Sequence, residues 1–283
     1  MPIQQERDIR SELDNLPELI PLPDVALNLL DACNNANIGA RELCSIVSCD
    51  TSLSVRLLQV SNSSHYGLSG QIKTVEHAAV VLGASGLRDL AMSIVAYGVF
   101  ARTKAQNRDV ESLWRHSLGC ATVARTVAEH LGDVCPNEAF VTGMIHDVGK
   151  LVLVQLLKDD YDLVPRALKG EVTVDQEQQQ YGIGHAELGR RCVEEWGLPP
   201  EIGDTLLSHH DPGGFDQHSR LTSVVVAANQ LSKIWNIGNS LKVDMDPVDV
   251  LSSTELPLNE TDLANLRQES SIAYLQNQSV FHG

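Results

Sequence analysis

The sequence has few aromatic residues and no long uninterrupted apolar run. Phe, Trp and Tyr make up only 4% of the 283 residues, whereas Leu, Val and Ala recur throughout, which favours packed helices over a β-sandwich. The longest apolar run, 90–101, is interrupted by Ser93 and is too short to cross a bilayer. Residues 1–17 lack the apolar core of a signal peptide. We therefore expect a cytoplasmic protein that does not enter a membrane.

Basic charge is also scarce. The sequence has 21 Lys and Arg and 37 Asp and Glu, so the formal net charge is 21 − 37 = −16. A surface this acidic repels phosphate backbones, and the densest basic cluster, Arg190-Arg191, is followed by acidic residues. Binding of nucleic acid is therefore disfavoured.

The cysteines lack any CxxC pair or regular framework spacing. There are six of them, at positions 33, 44, 49, 120, 135 and 192, and several lie within apolar helical patterns. This distribution predicts reduced side chains that pack as small hydrophobic groups, as is usual in the cytoplasm.

Helical periodicity dominates the chain and predicts an all-α architecture. After a segment opened by Pro23-Asp24, helices are predicted over 40–48, 51–61, 74–82, 87–101, 110–131, 140–157, from Thr173 onward, 185–196, 201–210, 221–234 and 260–276. No strand pattern and no fixed-period repeat is evident. We expect an N-terminal arm (1–15), one multi-helix domain (16–235), and a linker with a C-terminal helical extension (236–283).

Four places set titratable groups among apolar helix residues. They are His116 in SLWRHSLGCA, His146-Asp147 in GMIHDVGK, His185 in HAELGRR and His209-His210 in DTLLSHH. Imidazole and carboxylate bind divalent ions such as Zn²⁺, Mn²⁺, Fe²⁺ and Mg²⁺, and helical bundles assemble such sites from several helices. The alternative is a hydrogen-bonded network in the core, with Asp147 paired to a histidine or to Lys150.

The order His, His-Asp, His, His-His on consecutive helices resembles the HD superfamily of metal-dependent phosphohydrolases, and GMIHDVGK is close to the signature of that family. Three earlier stretches resemble the HDOD domain, an HD relative of bacterial signalling proteins. They are LPELIPLPDVALNLLDACNN, SIVSCDTSLSVRLLQVSNSSHYG and IKTVEHAAVVLGASGLRDLAMS. Together these similarities cover roughly residues 16–235.

The resemblance implies a first metal position held by His116, His146 and Asp147. Active relatives add a late aspartate, and Asn229 stands at the matching position here. A neutral amide is a poorer ligand than a carboxylate, so Asn229 is a weak candidate and metal binding at this position is weakened.

A second metal position is implied by Asp147 as a bridge together with His185, His209 and His210, all of which are present. Lys150 matches a lysine that neutralises substrate phosphate in active relatives. One metal site is thus favoured over two, with Fe, Mn, Zn, Mg or Ni as the candidate ions.

The stretch HHDPGGF (209–215) only faintly echoes the longer segment that helps the cyclic-dinucleotide phosphodiesterases of the superfamily recognise substrate. HDOD relatives are regarded as regulatory, without an established reaction. The resemblance therefore implies a bacterial, non-catalytic signal-transduction module with a protein partner in a signalling pathway and a small phosphorylated molecule as a further candidate ligand. The alternative is a metal-dependent phosphohydrolase for a phosphomonoester or nucleotide, with Asp147 and Lys150 as its catalytic residues.

Overall fold

A computed structural model describes residues 9–10, 13, 25–26, 28–29, 32, 38–62, 72–102, 108–157, 166, 173–210, 219–238, 243 and 245–278. Within these ranges the protein is helical and contains no strand, which confirms the predicted all-α fold. The helices with defined bounds are α1 Ala40–Ser48, α2 Thr51–Ser61, α3 Val75–Arg102, α4 Arg108–Leu131, α5 Pro136–Ile145, α6 Val148–Leu157, α7 Val174–Tyr181, α8 His185–Glu195, α9 Pro200–Ser208, α10 Arg220–Ile234, α11 Pro247–Thr254 and α12 Glu260–Gln278.

Several helix ends follow directly from local sequence. The Asp50 side chain caps α2 by accepting a hydrogen bond from the Leu53 amide at 2.8 Å. Thr173 and Gln176 form a reciprocal capping box at the start of α7. Gly132 ends α4 with a φ of +75°, a conformation that suits glycine.

The apolar segment 140–157 differs from its prediction as one continuous helix. It forms two helices, α5 and α6, separated by a turn at His146-Asp147, and α5 already begins at Pro136. The segment Pro136–Leu157 is long enough to cross a membrane, and its most apolar 18-residue window has a mean hydropathy of 1.4, but 89% of that window is buried inside the fold. Its composition therefore fits a central position in the bundle.

Two glycines of GMIHDVGK explain where this break lies. A Cβ atom on Gly143 would lie 2.9 Å from the Cα atom of Ala121, so α5 lies against α4 at a distance that only glycine permits. A Cβ atom on Gly149 would overlap the carbonyl oxygen of His185, so α6 is equally close to α8. The His146-Asp147 turn is thereby held between the helix that carries His116 and the helix that carries His185.

The helices around this turn form one apolar core. Helix α4 is central and contacts α5, α10 and α12, while α8 contacts α6 and α9. Helices α1 and α2 pack against α3, in which Gly83 has a φ of +73°; the segments on either side are bent by 117°, in accord with the two helices predicted there.

The C-terminal region contains one helix that was not predicted. Helix α11 begins at Pro247 and is capped by the Asp246 side chain, immediately after a stretch interpreted as a linker. Helix α12 packs on α4 of its own domain. The proposed domain boundaries at residues 15 and 235 stay predictions.

Two other sequence expectations have mixed outcomes. Cys44, Cys120 and Cys192 are buried free thiols, but Cys49 and Cys135 are exposed, because both lie just outside helix ends rather than on an apolar face. Position 33 lies outside the described residues. Of the helix predicted from Pro23 onward, residues 25–26, 28–29 and 32 are described, and they are helical.

Candidate metal centre

Asp147 lies at the middle of the polar cluster. It lies in the turn between α5 and α6 and is only 1% exposed. Its two carboxylate oxygens face opposite sides, and each side carries imidazole nitrogens from other parts of the chain. The arrangement brings together all six residues of the predicted His and Asp ligand set.

The first side is centred on Asp147 Oδ2. The Nε2 atom of His146 lies 3.4 Å from this oxygen, and the Nε2 atom of His116 from α4 lies 3.7 Å from it. Lys150, which is 5% exposed, donates a hydrogen bond of 2.7 Å to the same oxygen. The core network considered as the alternative to metal ligation therefore exists on this side, through Lys150.

The second side is centred on Asp147 Oδ1. The Nε2 atoms of His185 and His209 both lie 3.4 Å from this oxygen. The Nε2 atom of His210 lies 3.0 Å from that of His185. One atom from each of these four residues lies within 4.8 Å of the others, as does one from each of His116, His146 and Asp147 on the first side. Both sets are compact enough to surround a metal ion.

The orientation of the imidazoles is fixed by main-chain carbonyls. His209 donates from Nδ1 to the Leu206 carbonyl at 2.6 Å, and His146 donates from Nδ1 to the Gly143 carbonyl at 2.7 Å. Each ring therefore turns Nε2 toward Asp147. Such hydrogen bonds at the remote nitrogen are typical of metal-ligating histidines.

Glu177 fixes the third ring and was not anticipated from the sequence. Its Oε2 atom accepts hydrogen bonds from His185 Nδ1 at 2.6 Å and from the His185 amide at 2.7 Å, and the residue is 0% exposed. The carboxylate therefore sets both the ring and the start of α8. Its position on a polar helix, within the run VDQEQQQY, gave no signal that it points inward.

Several polar atoms at the centre have no hydrogen-bond partner among the described residues. They are Asp147 Oδ1, the Nε2 atoms of His146 and His209, both ring nitrogens of His116, and Asn229 Oδ1. Buried polar atoms normally have hydrogen-bond partners, so a converging group of unpaired ones fits a bound cation. The donor set of imidazoles and one carboxylate suits a divalent transition metal.

Burial and neighbouring charges shift the pKa values in the cluster. Burial lowers the pKa of His209 to about 4 and, with the nearby Lys233 ammonium, holds the pKa of His116 well below its usual range. Burial alone would lower the pKa of His146, but the Cys120 sulfur and the Asp147 carboxylate raise it to about 10. His209 is therefore a neutral potential ligand at pH 7.

The Asp147 carboxylate is held ionised at the centre. Burial opposes its ionisation, yet Lys150 and His146 hold the pKa of Asp147 well below its usual range. A carboxylate that stays charged at neutral pH can bind a cation on either oxygen.

The profile of the HDOD domain family matches residues 19–212, more than half of the chain. The chain belongs to the HDOD domain family. This confirms the family that the sequence motifs indicated. All the histidines of the cluster and Asp147 lie within the matched HDOD region, whereas Asn229 lies beyond it.

Curated relatives of this HDOD protein are longer than the chain. An uncharacterised protein of Treponema pallidum is 24% identical over 233 residues, which cover 78% of this chain and 43% of that protein. Ribonuclease Y of Deinococcus radiodurans is 27% identical over 153 residues, which cover 54% of this chain and 21% of that enzyme. The chain thus spans less than half the length of either relative.

Solved structures share the fold over nearly the whole chain. An HDOD domain protein of unknown function from Geobacter sulfurreducens is 23% identical, covers 96% of this chain and 98% of its own, and has a TM-score of 0.68. A candidate phosphohydrolase from Shewanella amazonensis is 21% identical, covers 96% and 97%, and has a TM-score of 0.71. A candidate signal transduction protein from Marinobacter aquaeolei is 22% identical, covers 99% and 62%, and has a TM-score of 0.70. At these identities the similarity shows the fold of the HDOD domain.

Asn229 and Cys120 complete the surroundings of the HDOD centre. Asn229 is 4% exposed on α10 and lines a cavity together with His209 and His210. Cys120 lies one helical turn after His116 on α4, and its buried thiol is beside His146. Its spacing of four residues from His116 was the available signal, and the composition-based view of the cysteines as core residues obscured it.

Proposed function

We propose that this HDOD domain is a regulatory module that binds one divalent metal ion at Asp147, His185, His209 and His210 and does not turn its ligand over. The observation that carries the proposal is that the two carboxylate oxygens of Asp147 have different hydrogen-bond partners. Oδ2 is already bonded to the Lys150 ammonium, whereas Oδ1 has no hydrogen-bond partner among the described residues and faces two imidazoles.

Charge balance supports one ion rather than two. A cation near Oδ2 would have to share this oxygen with the Lys150 ammonium at 2.7 Å, and like charges at such distances repel. A cation near Oδ1 meets an unpaired anionic oxygen and imidazoles held in place through their remote nitrogens. Three imidazoles with one carboxylate suit Fe, Mn, Zn or Ni better than Mg²⁺, which prefers oxygen ligands.

The absence of turnover is inferred from the first side of the metal centre, around Asp147 Oδ2. Asn229 offers a neutral amide where active HD relatives have a carboxylate, so the negative charge available to a second ion is smaller. Hydrolases with two metal ions stabilise both the attacking and the leaving oxygen of the reaction. A centre that holds a metal ion on just one side therefore lacks half of that arrangement.

We propose that the module acts through a protein partner of a signalling pathway in the cytoplasm. The fold shared with a signal transduction protein supports this proposal. The acidic composition supports a protein or small-molecule partner over nucleic acid, because an acidic surface repels phosphate backbones.

A metal-dependent phosphohydrolase is the second candidate, and the retained set of Asp147, His185, His209 and His210 favours it. A bound metal ion would supply a Lewis acid for a phosphoryl group and a source of hydroxide at neutral pH. Asp147 would then orient the centre, and Lys150 would neutralise phosphate charge. The candidate substrates are phosphomonoesters and nucleotides.

Metal analysis combined with a phosphatase screen separates the two candidates. The full chain, purified without chelators, is assayed in Mn²⁺ against phenyl phosphate and nucleoside monophosphates beside Asp147→Asn. A matched control is His130→Gln, which changes an exposed histidine outside the cluster. We expect about one metal ion per chain in the wild type and the control, none in Asp147→Asn, and no hydrolysis above the Asp147→Asn background.

Hydrolysis by the wild type and the control that Asp147→Asn abolishes would overturn the regulatory proposal in favour of the enzyme. Equal metal content in all three proteins would overturn the assignment of the metal site.

A further inference from the structure

The outward face of α12 carries apolar side chains that its own domain does not cover. Ile272 and Leu275 are 52% and 56% exposed, whereas Leu266 and Tyr274 on the opposite face are buried where α12 packs on α4. A surface helix normally has one apolar face, which points to the core, and a polar face on the other side. The second apolar face of α12 therefore lacks a partner within the part of the chain that the structure describes.

The residues of this outward face follow the heptad spacing of a coiled coil. They recur at intervals of four and three residues, all are exposed, and we call them the α12 seam: Thr261, Asn265, Gln268, Ile272 and Leu275. In a heptad abcdefg, Asn265 and Ile272 take a positions and Leu275 takes a d position. Ile at a with Leu at d favours a pair of parallel helices, and a single Asn at an a position fixes their register at a cost in stability.

The charged residues of α12 lie outside this seam. They are Glu260, Asp262, Arg267 and Glu269, and none of them takes an a or d position. Because the net charge of the chain is −16, two copies repel each other wherever acidic faces meet. The α12 seam is a face on which two copies can meet without like charges at the centre of the contact, and depletion of charge is typical of the centre of protein interfaces.

The position of Glu269 favours a parallel arrangement of the two helices. Glu269 flanks the α12 seam at an e position, which in a parallel pair faces a g position of the other helix, here Ala264. In an antiparallel pair the e positions face one another, and both Asp262 and Glu269 are acidic e positions. A parallel pair therefore avoids a like-charge contact that an antiparallel pair would contain.

We propose that the α12 seam pairs with the same seam of a second copy of this chain as a short parallel coiled coil, with Ile272 and Leu275 at the centre of the contact. The domain of each copy lies on the side of α12 opposite the seam, so the two domains end on the outer sides of the pair. The seam supplies five residues from each chain, against the roughly 20–30 on each side of a standard stable interface. We therefore expect a reversible dimer with a dissociation constant on the order of 10–100 μM.

Sedimentation equilibrium of the full chain tests the proposal, over protein concentrations from about 5 μM to about 500 μM that bracket this constant. It is run at low and at high salt on the wild type, Leu275→Lys and Asn265→Val. The matched control is Val80→Lys, which places the same charge on an apolar residue of α3 that is 83% exposed. Thermal unfolding is measured on each protein, so that loss of the fold is recognised separately.

We expect the wild type to change from monomer to dimer as its concentration rises, and to do so more readily at high salt, which screens the repulsion between two acidic chains. Leu275→Lys should weaken the dimer by about tenfold or more, because two ammonium groups would meet in one layer of the seam, while Val80→Lys stays within about twofold of wild type. Asn265→Val should strengthen the dimer by about tenfold or more, because it removes a buried polar layer.

The direction of the helices is tested by Leu275→Cys under mild oxidation. A parallel pair places residue 275 of one copy beside residue 275 of the other, so a disulfide-linked dimer should form beyond that seen in the wild type, which has exposed thiols at Cys49 and Cys135. In an antiparallel pair residue 275 would lie near Thr261 instead. A dimeric Leu275→Cys that does not cross-link would overturn the parallel arrangement.

Three results would overturn the pairing itself. These are a wild type that stays monomeric over the whole concentration range, a folded Leu275→Lys that forms dimers as readily as the wild type, and a dimer that Val80→Lys weakens as much as Leu275→Lys does. The pairing does not involve the metal centre, so failure of this proposal leaves the proposed function unaffected.

Discussion

Substitution of Glu177 by Gln isolates the carboxylate behind the metal centre. Glu177 Oε2 accepts two hydrogen bonds from His185, one from the ring at 2.6 Å and one from the amide at 2.7 Å. Gln is of similar size and can still accept through its amide oxygen, so the change removes the charge and leaves the shape. We expect α8 to keep its start and the His185 ring to become a weaker and less firmly held ligand.

The size of this effect follows from the hydrogen bond to the ring. A hydrogen bond to a charged group contributes about 1.5–3 kcal/mol, and one between neutral groups contributes about 0.5–1.5 kcal/mol. The difference of about 1–1.5 kcal/mol corresponds to roughly 5- to 13-fold weaker metal binding. This range overlaps the roughly 10- to 100-fold losses usual for such supporting residues.

Competition titration of metal-depleted protein with a chromogenic chelator measures the affinity. Asp175→Asn, an exposed carboxylate on the same helix, is the control and should bind metal as the wild type does. Metal affinity of Glu177→Gln within about twofold of wild type would refute the role of Glu177. An equal loss in Asp175→Asn would show a non-specific effect of the helix charge.

Further predictions concern stability. Gly149→Ala should lower the free energy of unfolding by about 1–3 kcal/mol through overpacking. Gly98→Ala, where a Cβ meets no atom within 4 Å, should raise the free energy of unfolding by about 0.5–1 kcal/mol. Equal effects of the two substitutions in urea unfolding would contradict this. Asp147→Asn should destabilise the metal-free protein by about 3–5 kcal/mol because it leaves the Lys150 ammonium buried without a partner. The double variant Asp147→Asn with Lys150→Met should regain most of that loss in the same assay. A double variant as unstable as Asp147→Asn would contradict the pairing of Asp147 with Lys150. In the metal-free protein His209 should contribute a loss of up to about 3 kcal/mol between pH 6.5 and 4, since the unfolded chain binds a proton at His209 that the folded chain refuses until about pH 4. His209→Gln should show a smaller loss, and an identical pH profile would contradict this.

Local patterns were sufficient for most helices because their signals lie within a few residues. The cap at Asp50, the capping box at Thr173 and the end of α4 at Gly132 each depend on contacts within one turn. The break at His146-Asp147 does not depend on such local contacts. It accompanies the close approach of α5 to α4 and of α6 to α8, which the apolar run 140–157 does not reveal.

The same distinction applies to the centre. The order of the His and Asp motifs indicated which residues would converge, because the family resemblance supplied the arrangement. The supporting residues could not be found in this way. Glu177 meets His185 through the fold of residues 182–184, and Lys233 on α10 lines the same cavity as His209 and His210.

The stoichiometry and position of the metal ion test the central claim most directly. Metal-depleted full chain is titrated with Mn²⁺ or Zn²⁺ by isothermal calorimetry, beside His185→Gln and His116→Gln, which remove one ring from each side of Asp147. The account predicts saturation at one ion per chain in the wild type and in His116→Gln, and at least a tenfold loss of affinity in His185→Gln. Two equivalent ions per chain, no binding, or a greater loss in His116→Gln than in His185→Gln would contradict it.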